Sequence, residues 1–348
     1  MQIQLICCFE ENEMGQKPTL KNVAQLAGVS EMTASRVLRG VGDVSDRTKE
    51  KVKTAARELG YVPNRIAGGL ASRSVNLVAV IVPSIRNYVF PEVLTGISDA
   101  LAESELQPVF GVSNYDLEQE ERVINDMLSW QPQGIILAGL HHTEAAQKML
   151  EAANIPIIEI MDCDGDPIDM CIGISHRQAG QDMARLITER GYRKIGFVGT
   201  QMPLDFRAQK RLEGFKSELA QNDMQLSDEI YYDARSSIAK GRDMTVTLME
   251  RSPDLDCLYY SSDLLAVGGL MHCMTSGLSI PDDIALAGFN GLDMLDGLPT
   301  RLATTHVPRY EIGLRAAKAI LARKENPDMP LKDKMQLLDI STEMADTL

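Results

Sequence analysis

The feature that most constrains the fold is a regular alternation, from Asn76 onward, of short apolar runs with longer amphipathic stretches. The runs are rich in Val, Ile and Leu, as in buried strands, and the stretches have the apolar spacing of helices. The predicted strands are Leu77–Val82, Val109–Val112, Gly134–Ala138, Ile155–Ile160, Cys171–Ile174, Lys194–Val198, Cys257–Tyr260 and Ile284–Ala287. The predicted helices are Val93–Ser104, Leu117–Trp130, Thr143–Ala153, His176–Arg190, Ala208–Gln221, Ile238–Arg251, Leu264–Ser276 and Arg309–Lys324. Such alternation predicts an α/β protein with parallel sheets covered by helices.

These strands are too many for one compact unit of typical size. A break between Asp162 and Ser175 divides them into two halves. Ligands of open parallel sheets bind outside the carboxyl ends of the strands, so we expect the pocket in the cleft between the halves.

The charge distribution sets the beginning of the chain apart from the rest. The 348 residues include 35 Lys and Arg and 49 Asp and Glu, and the net charge is −14. Residues 15–75 contain eleven Lys and Arg and five Asp and Glu, so that 11 − 5 = +6 there and −14 − 6 = −20 elsewhere. A small basic segment on an acidic body favours a module that binds a polyanion, with a basic solvated helix face as the alternative.

The basic segment has the pattern of three short helices. Thr19 is placed to cap the first helix, Gly28 supplies a turn, and Ser30 is placed to cap the second. A third helix is predicted from about Ser45 to Leu59. Two short helices joined by a glycine-containing turn are typical of a helix-turn-helix, although many three-helix units bind no DNA.

The segment "TLKNVAQLAGVSEMTASRVLRG", followed by "VSDRTKEKVKTAARELGYVPNR", resembles the DNA-binding head of the LacI/GalR family of bacterial regulators. Segments such as "NYVFPEVLTGI" and "LAGFNGLD" are most similar to the gluconate-operon repressor branch, and the resemblance extends from about Lys17 to Lys324. It implies a three-helix helix-turn-helix head and a periplasmic-binding-protein-like body of two Rossmann-type parallel-sheet subdomains. The chain would cross between the subdomains near Ser175, near Gly291–Arg301 and near its end.

The resemblance also implies the domain boundaries. Residues 1–16 match nothing in the family, so Met14 is an alternative start to Met1. Residues 17–62 would be the DNA-binding domain, 63–75 a hinge, and 76–348 the effector-binding and dimerisation domain, with subdomains at about 76–174 plus the C-terminal crossover and at about 175–300.

In a helix-turn-helix, the N-terminal part of the second helix enters the major groove. The residues expected to contact DNA are Thr19, Ser30, Glu31, Met32, Thr33, Ser35, Arg36, Asn64, Arg65 and Leu70. Arg36 can donate two hydrogen bonds to a guanine, whereas Glu31 can only accept a hydrogen bond from a base. For Glu31, a favourable interaction with the helix dipole is the alternative to base contact.

Residues 63–74 read as a linker. The resembled family keeps a hinge helix there, which orders on operator DNA and inserts a leucine into the minor groove, and Leu70 occupies that position. Gly68 and Gly69 each disfavour a helix by about 1 kcal/mol relative to Ala, so ordering of this hinge is expected to be weaker. A flexible tether with Leu70 packed on the body is the alternative.

Effector-binding residues are predicted near the carboxyl ends of the strands. They are Tyr88, Phe90, Asp162, Arg207, Arg211, Ser262, Asp263 and Asn290. The family carries an effector-binding arginine at the Arg211 position, and it commonly has Asp where this chain has Asn290. The alternatives are a surface ion pair for Arg207, a capping role for Asp263 and a core position for Tyr88. An amide near two arginines suits the carboxylate of a sugar acid better than a neutral sugar.

Other classes of protein find little support. No nucleophile, phosphate-loop, dinucleotide or metal motif is present, so neither an enzyme nor a cofactor or metal is expected. No apolar run reaches about 18 residues and no basic leader opens the chain, and six scattered cysteines indicate reduced thiols. We therefore expect a cytoplasmic, nucleoid-associated homodimeric repressor that binds a near-palindromic operator and a gluconate-like sugar acid. A soluble solute-binding or chemoreceptor-type protein is the alternative, and a sugar-processing enzyme comes third.

The hinge hypothesis makes a prediction for Leu70→Ala. Loss of the apolar wedge should lower both operator affinity and DNA bending, because the wedge unstacks a base step. Effector affinity should stay unchanged. A gel-phasing assay measures the bend, and bending equal to that of the parent protein would favour the tether.

Overall fold

The computed structural model describes residues 18–40, 42–62, 75–200, 204–326 and 334–348. The chain divides into two compact units, one that precedes Ser74 and one that begins there. The predicted extension at residues 1–16 and the hinge contacts Asn64, Arg65 and Leu70 lie outside the described residues. Among the described residues, no helix has both the length and the apolar character that a membrane span requires.

The first unit contains the three predicted helices, α1 (Leu20–Ala27), α2 (Glu31–Arg39) and α3 (Asp46–Glu58). The hydroxyls of Thr19, Ser30 and Ser45 cap them by accepting hydrogen bonds from backbone N–H groups of the first turns, which otherwise lack partners. Gly28 ends α1 at a φ of 67°, a backbone conformation that favours glycine. A small apolar core joins the helices, with Val23, Ala24, Ala27, Ala34, Val37, Val52, Ala55 and Ala56 buried. The predicted helical head is confirmed.

The second unit alternates strands and helices, as the apolar pattern predicts. The helices are α4 (Phe90–Leu101), α5 (Leu117–Ser129), α6 (Glu144–Ala152), α7 (His176–Glu189), α8 (Phe206–Gln221), α9 (Ile238–Arg251), α10 (Asp263–Ser276) and α11 (Arg309–Glu325). The strands are β1 (Leu77–Val82), β2 (Gln107–Val112), β3 (Gly134–Ala138), β4 (Ile157–Asp162), β5 (Met170–Ile174), β6 (Ile195–Thr200), β7 (Asp228–Tyr232), β8 (Cys257–Tyr260), β9 (Ala285–Ala287), β10 (Thr304–His306), β11 (Met335–Leu337) and β12 (Ser341–Glu343).

Two parallel sheets form this unit. The first has the strand order β11-β5-β4-β3-β1-β2, and the second has the order β7-β6-β8-β9. Every neighbouring pair in both sheets is parallel, and β10 and β12 form a separate antiparallel pair. Helices cover both sheets, and the central strands are buried apolar runs. The predicted α/β class with two parallel-sheet subdomains is confirmed.

The chain passes between the two sheets three times. It leaves the first sheet after β5, at Ser175, and returns between β9 and α11, which packs against α4. After β11 it reaches the second sheet again, where the carbonyl of Thr347 accepts a hydrogen bond from Leu286 N–H at 2.8 Å. Three connections tie the halves into one body, and the strand ends of both sheets face a shared cleft.

Four strands were not predicted from the sequence. β7 is half-exposed at a sheet edge and lacks an apolar run, because its sequence is "DEIYY". β10, β11 and β12 have three residues each, too few for a recognisable period. β4 also extends to Asp162, which places that residue inside the strand and not after it.

A close contact of α7 with α8 determines where the first residues of α8 lie. A Cβ atom at Gly180 would lie 2.0 Å from the carbonyl oxygen of Arg211, and one at Gly214 would lie 2.0 Å from that of Arg177. Only glycine fits at either position, because the two backbones touch. The contact brings the start of α7 and the start of α8 to the same end of the second sheet.

A buried histidine holds the loop after β3 to its neighbours. His142 Nδ1 lies 2.6 Å from Glu120 of α5, and Nε2 lies 3.2 Å from Glu159 of β4. All three side chains are at least nine-tenths buried. Burial lowers the pKa of His142, but the two carboxylates outweigh it and raise the pKa to about 9. The imidazolium is therefore the stable form at neutral pH.

This raised pKa makes the contribution of His142 to stability depend on pH. In the unfolded chain the pKa is about 6.5. The stabilisation is therefore complete below pH 6.5 and is lost as the pH rises through 9. We expect His142→Asn to lower the free energy of unfolding, with a part on the order of 3 kcal/mol that is present at pH 6 and absent at pH 9.5.

Urea unfolding of the parent and the variant at both pH values measures the difference. His272→Asn, on the partly exposed face of α10, is the control for the loss of an imidazole that has no buried carboxylate partners among the described residues. An equal loss of stability at pH 6 and pH 9.5 would contradict the charged His142.

Candidate functional site

In the first unit, α2 presents the residues expected at base edges on its outer face. Glu31 and Arg36 are exposed, and Met32 is 66% exposed although its side chain is apolar. Ser35 is half-buried beside them. Ala34 and Val37 point to the core and fix which face is outward. The exposed apolar Met32 next to a cation and an acid makes a surface that can contact base edges in a groove.

The residues expected at phosphates lie at helix starts. Thr19 and Ser30 use their hydroxyls as caps of α1 and α2. Ser30 Oγ accepts from Thr33 N–H at 3.1 Å and also lies 2.9 Å from the Thr33 hydroxyl. A helix start offers free backbone N–H groups to a phosphate. The local geometry is therefore compatible with a phosphate contact at both positions.

In the second unit, the cleft between the two sheets contains a cavity of about 890 Å³, a volume that includes its mouth open to solvent. The loops after the strands of both halves line it. Its polar and charged lining consists of Ser84, Arg86, Asn87, Tyr115, His176, Thr200, Asp205, Arg207, Arg211, Arg235, Ser236, Ser261, Ser262 and Asn290. Phe90 and Phe289 supply aromatic surface. Among the described residues, no group of three or more His, Cys, Asp and Glu side chains could hold a metal ion.

Arg211 lies deep in this cavity and is held on every side. Its guanidinium donates to the Ser261 carbonyl at 2.9 Å and to His176 Nδ1 at 3.0 Å. Its central carbon lies 3.6 Å from the ring centre of Phe289, a favourable cation–π geometry. Burial lowers the pKa of Arg211 from its usual value. The arginine that the family resemblance assigns to the effector therefore lines the cavity in a fixed orientation.

His176 has one defined tautomer. Its Nε2 lies 3.0 Å from the carbonyl oxygen of Met161 and must donate, which leaves Nδ1 to accept from Arg211. Burial lowers the pKa of His176 well below its usual value, and the charge of Arg211 lowers it further. A neutral His176 thus orients the guanidinium without competing for an anion.

Arg207 has spare hydrogen-bonding capacity. Its side chain is only 13% exposed, and its Nε lies 3.7 Å from the carboxylate of Asp205, an ion pair of the kind that the sequence alternative names. The guanidinium lies 5.6 Å from the ring centre of Phe90 in the opposite half. Within the described residues, the buried Arg207 Nη1 and the buried Ser262 Oγ have no hydrogen-bond partner. Buried polar atoms normally have partners, so two such atoms in the lining make this part of the cavity a candidate site for a polar ligand.

The side of the cleft next to the cavity is closed by direct contacts between the halves. Lys210 of α8 donates to Asp162 of β4 at 2.5 Å, and both side chains are buried. The rings of His141 and Phe206 stack at 4.3 Å with an angle of 13°. Asp162 lines a smaller recess beside the cavity and not the cavity itself, because Lys210 engages its carboxylate.

Two other predicted residues also lie away from the cavity. Tyr88 is 58% exposed and is absent from the lining. Asp263 is fully buried, and its carboxylate accepts from Thr304 Oγ1 at 2.7 Å and from Leu292 N–H at 3.0 Å. These bonds hold the segment that links β9 to β10 and do not involve the first turn of α10, so the capping alternative does not describe Asp263 either. The structure brings Phe90, Arg207, Arg211, Ser262 and Asn290 together.

Several lining residues were missed from the sequence. Ser84 follows β1, Tyr115 follows β2, and Arg235 follows β7. A search of the residues after each strand would have found Ser84. Arg235 was missed because β7 was not recognised, and Tyr115 was missed because its loop contains no motif. Burial raises the pKa of Tyr115, and the negative charge of Asp205 raises it further. The phenol therefore stays protonated and can donate a hydrogen bond.

Hydrogen bonds of its backbone fix the position of Asn290. Its φ of 123° lies in a region that favours glycine. Its N–H donates to Thr305 at 3.0 Å, and its carbonyl accepts from the buried Arg309, which also pairs with Glu92 of α4 at 2.6 Å. Strained backbone of this kind persists only where its surroundings determine it, and it clusters at ligand sites.

The charges around the cavity contrast with those of the chain. Four arginines line it (Arg86, Arg207, Arg211 and Arg235) against one acid, Asp205, which gives 4 − 1 = +3. The whole chain carries −14. The N-terminal end of α8 also lies at the cavity, and its helix dipole adds a partial positive charge. The cavity is therefore suited to an anion with polar groups.

Two protein families match the chain. The family described as "Bacterial regulatory proteins, lacI family" matches residues 19–64. The family described as "Periplasmic binding proteins and sugar binding domain of LacI family" matches residues 76–331. The matches correspond to the first and the second unit of the structure.

Similar proteins extend over nearly the whole chain. The HTH-type transcriptional regulator GntR of Pseudomonas aeruginosa is 39% identical over 92% of this chain and 94% of its own length. The regulator of the same name from Escherichia coli K12 is 34% identical over 88% of this chain and 92% of its own. The crystal structure of a LacI-family transcriptional regulator from Silicibacter pomeroyi is 55% identical, covers 95% of this chain and 99% of its own, and superposes with a TM-score of 0.92.

Proposed function

The chain belongs to the lacI family of bacterial regulatory proteins and is a DNA-binding transcriptional regulator, and we propose that it represses sugar-acid catabolic genes under the control of a gluconate-like effector. In this proposal a homodimer in the cytoplasm, associated with the nucleoid, binds a near-palindromic operator through α2. The sugar acid binds in the cavity of the second unit and changes operator affinity. The proposal keeps the divisions expected from the sequence, which are a head at 17–62, a hinge at 63–75 and an effector domain at 76–348.

The observation that carries this proposal is the cationic cavity in an acidic chain. Arg207 has an unpartnered buried N–H, and Ser262 has an unpartnered buried hydroxyl. A carboxylate satisfies the guanidinium with a charge-assisted hydrogen bond, and a hydroxyl of the ligand satisfies the serine. A ligand with both groups supplies what these two atoms lack.

The remaining lining favours a polyhydroxylated chain. Asn87, Tyr115, Thr200 and Ser236 offer amide and hydroxyl groups that both donate and accept. Phe90 and Phe289 offer flat apolar surface for the C–H faces of a sugar. Aromatic walls with a few placed polar groups are typical of sites for small polar ligands.

For the regulator to respond, the effector must bind one conformation better than another. The lining comes from both sheets, so a ligand that contacts both favours the closed cleft. Closure changes the angle between the two halves of the effector domain. In this proposal that change alters the spacing of the DNA-binding heads in the dimer. The size of the response is limited by the difference in ligand affinity between the two conformations.

A calorimetric screen of the purified full chain against aldonates, uronates and neutral hexoses tests the proposal. Gluconate or a related aldonate should bind, and neutral hexoses should bind more weakly. Binding of a neutral sugar in preference to every acid would refute the sugar-acid effector.

The variant Asn290→Asp tests the charge argument. Two like charges about 4 Å apart repel by about 4 kcal/mol at an effective dielectric constant of 20, which corresponds to about a thousandfold in affinity. We expect gluconate binding to fall much more than glucose binding, because the neutral sugar meets no such repulsion. Titrations with both ligands measure this, with Asn290→Ser as the uncharged control. Parent-like affinity of Asn290→Asp for gluconate would exclude this pocket as a sugar-acid site.

Arg36→Ala tests direct contact of α2 with a base. We expect weaker operator binding and relaxed discrimination at one base pair, by about 1 to 3 kcal/mol. Lys21→Ala, an exposed cation of α1, should weaken binding to all sequences alike. Gel shifts on an operator selected from a random DNA pool and on random DNA measure both. Equal losses on the two DNAs for Arg36→Ala would assign that residue to a phosphate.

A further inference from the structure

Two arginines at the cavity have no partner in the structure. Arg86 follows β1 in the first half, and Arg235 follows β7 in the second half. Both side chains are exposed, and within the described residues neither makes an ion pair or a side-chain hydrogen bond. Most other cations of this acidic body do pair with carboxylates, such as Arg251 with Asp228. Water can solvate an exposed guanidinium, so what distinguishes these two arginines is that both line the same cavity.

The deep part of the cavity does not account for these two arginines. Arg211 is already held by His176 and Ser261, and Arg207 has the spare donor that suits one carboxylate. The lining carries a charge of 4 − 1 = +3. One bound carboxylate leaves +2, most of it on the two exposed arginines.

Tyr115 connects the two cationic regions. Its hydroxyl accepts a hydrogen bond from Asn87 at 2.8 Å, and Asn87 is the chain neighbour of Arg86. Burial and Asp205 raise the pKa of this phenol, whereas the charges of Arg207 and Arg235 lower it. Tyr115, Arg207 and Arg235 line the same cavity. An extended ligand that passes Tyr115 can reach Arg207 with one end and the exposed arginines with the other.

We propose that the effector is a dianionic sugar acid whose second anionic group binds at Arg86 and Arg235. The second group is a phosphate or a carboxylate at the end of the chain opposite the first carboxylate. This inference rests on the proposed sugar-acid function and specifies its ligand class. Guanidinium groups bind both kinds of anion through paired N–H donors.

The position of the two arginines gives the second anion a role in closure. They belong to opposite halves, so an anion between them attracts both. Without the anion, closure brings like charges together, which disfavours the closed cleft. A dianion therefore binds the closed conformation with a larger preference than a monoanion does, and this difference is what shifts the equilibrium.

Calorimetric titrations of the full chain with four ligands test the inference. They are gluconate, glucarate as the dicarboxylate, 6-phosphogluconate as the phosphorylated acid, and glucose. We expect one or both dianions to bind at least about tenfold more tightly than gluconate. The tighter of the two identifies carboxylate or phosphate as the second group.

The variants Arg86→Gln and Arg235→Gln locate the second group. Each should weaken binding of the preferred dianion about tenfold and binding of gluconate less than about threefold. Arg122→Gln is the matched control, because Arg122 is exposed on α5 and lies outside the cavity lining. It should leave all affinities unchanged.

The outcomes separate the two proposals. If gluconate binds but neither dianion binds more tightly, the dianion inference is wrong and the sugar-acid function stands. If both variants weaken gluconate and the dianion by the same factor, the exposed arginines only attract anions at long range, and the inference is also wrong. If none of the acids binds, the proposed function itself fails.

Discussion

Three cations are withdrawn from water within the first two turns of α8, and the geometry of the cleft follows from how each is compensated. A buried charge without partners costs several kcal/mol, so each cation requires its own arrangement. Lys210 takes the carboxylate of Asp162 from the opposite half. Arg211 takes a neutral imidazole, a carbonyl oxygen and an aromatic face. Arg207 has the carboxylate of Asp205 at 3.7 Å from its Nε, and among the described residues its buried Nη1 has no hydrogen-bond partner.

The residues of α8 have two roles: some join the two halves directly, and others line the cavity. Lys210 with Asp162 and Phe206 with His141 join the halves directly, and they require no ligand. Arg207 and Arg211, one turn apart, face the cavity. The halves thus meet at one side through protein contacts, while the other side depends on what fills the cavity.

The fold could be predicted from sequence because strands and helices buried in two sheets leave a strong apolar period. The edge strand β7 left no such period, so Arg235 behind it was missed as well. Residues in motifs, such as Arg211, were placed correctly in the cavity. Asp162 was not, since it is the last residue of β4 and a shift of one residue at a strand end turns a side chain to the other face. Tyr88 lies in the segment between β1 and α4, where no periodic pattern indicates which way a side chain points.

Asp263 illustrates a different limit. A carboxylate that follows a strand end has the same sequence signature whether it meets a ligand or the protein's own backbone. Here Thr304 and Leu292, which bind it, lie about thirty to forty residues further along the chain. Only the folded path of the segment between β9 and β10 brings them to it. Long-range hydrogen bonds of this kind are invisible to patterns read over short windows.

The glycine contact between α7 and α8 limits how such a protein can diverge. Because any side chain at Gly180 or Gly214 would collide with backbone, the position of the α8 arginines is inherited as a rigid unit. The loops after β1, β2 and β7 supply further polar groups of the lining and take no part in this helix contact. Substitutions in these loops can therefore change the lining of the cavity while Arg207 and Arg211 stay in place, so paralogues from one duplication would keep the two arginines and differ in the rest of the lining.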